Sequence, residues 1–136
     1  MRIILDTNVW ISFLIGHQLQ TIRSIVTDMR FEVFVCPQLT NEIVDVARRD
    51  KIRRYIKDSD VEDLMRIICA FCHAIDIVNE AKTDIRDRKD LYLLSLAETI
   101  DAVYIVSGDA DLTVLQQHKN TRIITLSEFK NQIMYT

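Results

Sequence analysis

Asp6, Glu42, Asp90 and Asp109 are the residues whose types and placing best suit chemistry. Asp6 ends a short Ile-rich run, Glu42 lies one to two turns into a helix opened by Pro37, Asp90 opens a Leu-rich stretch, and Asp109 follows Val106-Ser107-Gly108. All four fall just past expected strands, where parallel α/β sheets carry their ligand sites. Like charges gathered at one edge repel and raise one another's pKa unless a cation neutralises them. With oxygen donors and no His or Cys nearby, that cation is a hard one, Mg2+ or Mn2+ rather than zinc or copper. One or two such ions orient and deprotonate a water for in-line attack on a phosphodiester, so the chemistry implied is phosphodiester hydrolysis. The plainer account is stability alone: Asp6, Asp90 and Asp109 each suit a helix N-terminus, and Glu42 suits a surface.

The elements that must position these acids follow from the hydrophobic period. Short β-branched runs predict strands at 2–5, 32–36, 74–78, 102–106 and 122–125. Helices are expected after Asp6-Thr7-Asn8, from Pro37 to about Arg49, from a Ser59/Glu62 capping box through Phe71, and over 89–98, 109–117 and 127–133. Strands alternating with helices imply right-handed crossovers in a three-layer α/β/α sandwich, with a central, mainly parallel sheet of about five strands. The chain has 136 residues, 49% of them hydrophobic, with 2 Gly and 1 Pro, which predicts one packed domain over 1–136 and excludes disorder.

Net charge is -3, from 17 basic and 20 acidic residues, which excludes coating of nucleic acid by bulk charge but not a local basic patch. Arg48, Arg49, Lys51, Arg53, Arg54 and Lys57 form such a patch around Tyr55, suited to RNA phosphates and a stacked base, or simply to a solvated helix end. No run approaches the ~20 apolar residues of a membrane span, and the first residues lack a signal-peptide pattern, so a cytoplasmic protein without membrane contact is expected. Cys36, Cys69 and Cys72 then read as reduced thiols. Cys69-Ala70-Phe71-Cys72-His73 matches a haem-attachment string, but both cysteines fall on the expected apolar face of the Ser59 helix, where buried thiols are the simpler expectation.

The segments Ile4-Leu5-Asp6-Thr7-Asn8-Val9, Asp87-Arg88-Lys89-Asp90 with its Leu-rich continuation to Ala97, and Tyr104-Ile105-Val106-Ser107-Gly108-Asp109-Ala110-Asp111-Leu112 resemble the motifs of PIN-domain nucleases in order and spacing. The resemblance runs from about Ile3 to Ile133. The closing Ile123-Ile124-Thr125-Leu126-Ser127-Glu128-Phe129 is similar to the tail of VapC-like PIN proteins, toxins of toxin-antitoxin pairs. It implies an Mg2+- or Mn2+-dependent endoribonuclease acting on single-stranded RNA. The acidic set falls on Asp6, Glu42, Asp90 and Asp109, with Asn8, Ser107 and Asp111 in support. Asp6, Asp90 and Asp109 would hold metal directly or through water, and Glu42 would position a water or a second ion.

The resemblance also implies an antitoxin that neutralises the acidic pocket with an Arg- or Lys-bearing segment. Trp10, Phe13, Leu14 and Ile15 give the helix after Asn8 a broad apolar surface that core packing explains first, and the resemblance adds that such a helix can pair two copies in a homodimer. Leu91 and Thr113 depart from the pattern, and Asp87 competes with Asp90 for the motif's acid. Two other readings stay open: a catalytically silent PIN-like module that binds RNA or protein, and a haloacid-dehalogenase-type phosphatase, which needs an Asp where Asn8 stands.

Overall fold

The computed structural model describes residues 1–82 and 90–135. Six strands form one sheet, β1 (Arg2–Leu5), β2 (Glu32–Val35), β3 (His73–Ala74), β4 (Tyr104–Val106), β5 (Gln117–His118) and β6 (Thr121–Ile124), in the order β3-β2-β1-β4-β6-β5. All pairings are parallel except the β5–β6 hairpin. Three of the four residues in β1 and in β2 are buried, as the continuous apolar runs of a sheet covered on both faces require.

The helices that flank it are α1 (Thr7–Ile15), α2 (Leu19–Val26), α3 (Pro37–Ala47), α4 (Asp50–Arg53), α5 (Asp58–Phe71), α6 (Leu91–Ile100), α7 (Ala110–Thr113) and α8 (Leu126–Phe129). A π-helical turn, Lys130–Met134, closes the described chain. Trp10, Phe13 and Phe129 are fully buried. The indole N–H of Trp10 donates to the Leu5 carbonyl at 2.8 Å, tying α1 to the strand end that precedes Asp6.

Chain order makes β1 the switch point. From β1 the chain builds outward through β2 to β3 on one side, then returns to place β4 and β6 on the other. Two loops therefore leave the carboxyl ends of neighbouring strands in opposite directions and open a crevice there. Register aligns Leu5 with Val106, so Asp6 and Ser107 leave the sheet side by side.

Several expected elements are corrected. The third strand is not 74–78 but His73–Ala74, because its partner β2 pairs only through Val35 before Pro37 turns the chain into α3. The sheet gains β5, since the helix expected over 109–117 is a single turn: past Leu112 it has little to bury, and Val114 is 74% exposed. The helix from Pro37 ends at Ala47 and restarts as α4, and α2 was not expected.

The α5 helix starts at Asp58, where the backbone N–H of Lys57 donates to Asp60 at 2.9 Å, rather than at a Ser59/Glu62 box. Its buried face is Leu64, Ile67 and Ile68. Cys69 is turned past that face to solvent and Cys72 follows the helix half-buried, so only Cys36 is a buried thiol. Lys89, the expected start of the next helix, and Asp87 lie outside the described residues. Among the described residues no helix is long and apolar enough to cross a membrane.

Candidate active site

Asp6 is the residue where β1 becomes α1, and it is 3% exposed. One carboxylate oxygen accepts from the Thr7 backbone N–H at 2.6 Å, and the other from the Ser107 hydroxyl at 2.7 Å. Burial pushes its pKa from the ordinary 3.8 up to about 6. The two hydrogen bonds oppose that rise, while the charges of Glu42 and Asp109 add to it.

Ser107 joins the two strand exits. Its hydroxyl oxygen, while donating to Asp6, accepts from the Asp109 backbone N–H at 3.0 Å. Asp109 in turn caps α7 by accepting from the Asp111 N–H at 2.9 Å. A hydrogen bond with the Asp90 carboxyl, more than any other contact, holds the Asp109 pKa below its usual value. Asn8 closes the other side, its side-chain oxygen accepting from the Gly108 N–H at 3.1 Å.

The four acids expected from sequence line one cavity of ≈ 350 Å³, together with Thr7, Asn8 and Arg49. Asn8 and Ser107 brace the loops that carry the acids, and Asp111 contributes its backbone to the α7 cap. Of the basic run, Arg49 reaches this cavity; Arg48, Arg53 and Lys57 line a different one, and Lys51 and Arg54 line neither.

Two residues were not foreseen. Tyr92, on the first turn of α6, donates its hydroxyl to Glu42 at 3.0 Å. Burial and the nearby charges of Glu42 and Asp6 push its phenol pKa up, so it stays a donor. Nothing in the sequence tied it to Glu42, fifty positions away. Thr7 Oγ1 is buried beside Asp6 and close to the Tyr92 hydroxyl, whose pKa it works to lower against the rise from burial. The only signal for it was membership of the Asp6-Thr7-Asn8 cluster.

The donor set suits a hard, hydrated cation. All donors are oxygen, and a cation would relieve the burial of Asp6 charge among its acidic neighbours. Among the described residues no three His, Cys, Asp or Glu side chains are grouped closely enough to cage an ion by themselves. Mg2+ does not ask for that, since it binds through one or two carboxylates and keeps several waters.

A parallel sheet with an acidic crevice at its switch point defines the class, and comparison with known proteins names it. The family model of the PIN domain matches residues 2–111, and the chain belongs to the PIN domain family, whose members are generally nucleases that use divalent metals. The fold is similar to that in the crystal structure of VapBC2 from Rickettsia felis bound to a DNA fragment from their promoter. That likeness has a TM-score of 0.57 at 14% identity and covers 92% of this chain and 98% of that one. The PIN domain of T. brucei RRP44 is similar with a TM-score of 0.50 at 17% identity, covering 98% of this chain and 80% of that one. No curated protein matches the chain in sequence.

Proposed function

We propose that the chain is a divalent-metal-dependent endoribonuclease and the toxin of a toxin-antitoxin pair. The observation that carries the nuclease reading is the gathering of Asp6, Glu42, Asp90 and Asp109 on one cavity at the switch point, with Asp6 buried against its own electrostatic interest. A stability role would not bury a carboxylate beside two others; a cation site gains from it. Asp6, Asp90 and Asp109 would hold Mg2+ or Mn2+, directly or through water, and Glu42 would face the same space. When bound, the ion activates water and stabilises the charge that develops on the phosphate.

The chain's own residues do the rest. Thr7 and Ser107 fix both oxygens of Asp6, Ser107 holds the Asp109 loop to it, and Tyr92 holds Glu42. Arg49 offers a cation to the substrate phosphate at the edge of the acids.

The toxin reading is supported by the likeness to the VapBC2 fold. An antitoxin would present a basic segment to the acidic cavity, and a homodimer would form between copies of this chain.

Cleavage of a labelled single-stranded RNA by purified protein in Mn2+, Mg2+ or EDTA, beside Asp6→Asn, tests the nuclease. The expected result is metal-dependent cutting absent from the variant. Cutting that survives EDTA or the substitution refutes the assignment, and RNA binding without cutting under any condition favours the silent module. Co-purification from the native host tests the antitoxin, and recovery of no small basic-tailed partner counts against it.

A further inference from the structure

The basic run 48–57 is divided by the fold. Helix α3 ends at Ala47 with Arg48 as its cap, Arg49 is extended (ψ 143°), and α4 starts at Asp50. This corner sends neighbouring residues to different cavities: Arg49 to the acidic one, and Arg48 to a second of ≈ 350 Å³ that Arg53 and Lys57 also line. Ala47 and Ile56, both buried, contribute apolar walls to the second cavity.

Three cations face this space against two acids, and both acids have other engagements. Glu62 lies 3.9 Å from Arg66, and Asp58 occupies the first turn of α5, where the helix dipole favours it. Arg48, Arg53 and Lys57 form no ion pair among the described residues, whereas Arg30, Arg66 and Lys119 each do. Exposed cations left without carboxylate partners around a concave space, beside a cavity suited to phosphodiester chemistry, match a polyanion backbone.

We propose that Arg48, Arg53 and Lys57 form a phosphate subsite that holds the backbone of single-stranded RNA next to the acidic cavity, with Arg49 the step between the two. The subsite rests on the ribonuclease reading and adds to it where the strand runs. It also divides the six basic residues into groups with different roles. Lys51 and Arg54 line neither cavity, and Arg54 stacks over the Tyr55 ring at 6.0 Å. They carry the same charge in the same segment and serve as the internal control.

The test is fluorescence anisotropy of a labelled single-stranded RNA with the full chain in EDTA, over a range of salt, together with cleavage in Mn2+. Substituting Arg48, Arg53 and Lys57 jointly by Gln is expected to weaken binding roughly ten- to a hundredfold at low salt and to make the log–log salt slope shallower by about two, at ~0.7 per lost phosphate contact. KM for cleavage should rise while kcat at saturating RNA holds. Lys51→Gln with Arg54→Gln should stay within about twofold of the wild type. The single variants Arg53→Gln and Lys57→Gln, each shifting the slope by about 0.7, carry the same test should the triple variant fold poorly.

Wild type that cuts RNA while the triple variant binds no worse than the Lys51/Arg54 control overturns the subsite and leaves the nuclease standing. Wild type that neither binds nor cuts RNA, or a basic cavity that captures an acidic peptide and no RNA, overturns the subsite together with the ribonuclease reading.

Discussion

Asp6→Asn should stabilise the metal-free protein, although it removes a candidate metal ligand. Folded Asp6 takes up its proton at about pH 6, against 3.8 for an ordinary aspartate. Between those values the folded chain holds a proton that the unfolded chain has released, so stability falls as pH rises through this window, and above it the whole penalty is present. The gap corresponds to about 3 kcal/mol. Asparagine fills the place of the protonated acid, with an oxygen for the Thr7 N–H and an amide toward Ser107, and escapes the penalty. Urea unfolding in EDTA should find the variant about 1–3 kcal/mol more stable at pH 8, the difference shrinking as pH falls toward 4.

Mn2+ or Mg2+ at a hundred times its Kd should then add about 2.7 kcal/mol to the wild type and little to the variant, narrowing or reversing the order. Metal affinity of the wild type should fall as pH drops through about 6, as protons compete for Asp6. A variant less stable than wild type at pH 8 in EDTA, or a difference that ignores pH, would refute the account of Asp6 as a charge held at the folded state's expense.

Tyr92→Phe removes the hydroxyl that donates to Glu42 without changing the ring, so cleavage should fall several-fold for a stability loss of about 1 kcal/mol, read by steady-state kinetics and thermal melting. Trp10→Phe deletes the N–H that reaches the Leu5 carbonyl and leaves a gap in a fully buried position; denaturant titration should show a loss of about 2–3 kcal/mol. Gly108→Ala should change stability by less than about 0.5 kcal/mol, because the backbone there is not left-handed and the added methyl would meet Asn8 at 3.7 Å, an ordinary contact. If unfolding of that variant is normal and RNA cleavage is lost, the space above Gly108 is used by the substrate.

Much of the fold was legible because the residues concerned act locally. Arg2–Leu5 and Glu32–Val35 are buried on both faces and read as continuous apolar runs, and Asp6 caps its helix as its side chain allows, whereas Thr125, expected to end a strand, is the cap of α8. Helix α2 escaped because Gln18 makes no side-chain cap bond, although Leu19, Ile22 and Ile25 keep a helical interval. The third strand was overdrawn for a different reason: its length is set by β2, so no property of residues 75–78 could fix where pairing stops. Cys69 was misplaced by one step of rotation, since it adjoins the apolar face of α5 without belonging to it.

The sequence by itself determined which acids were worth placing and that strands end just before Asp6 and near Asp109: the carboxylates, their oxygen-only chemistry and the charge of the 48–57 run are properties of side chains and short spacings. Only the tertiary structure decided their company. The switch point at β1 puts Ser107 between Asp6 and Asp109, the packing of α6 brings Tyr92 to Glu42, and the corner after Ala47 parts Arg48 from Arg49. Each depends on contacts between segments far apart in the chain or on the direction the backbone takes at a turn. The burial that raises the Asp6 pKa is likewise a property of the whole packed molecule.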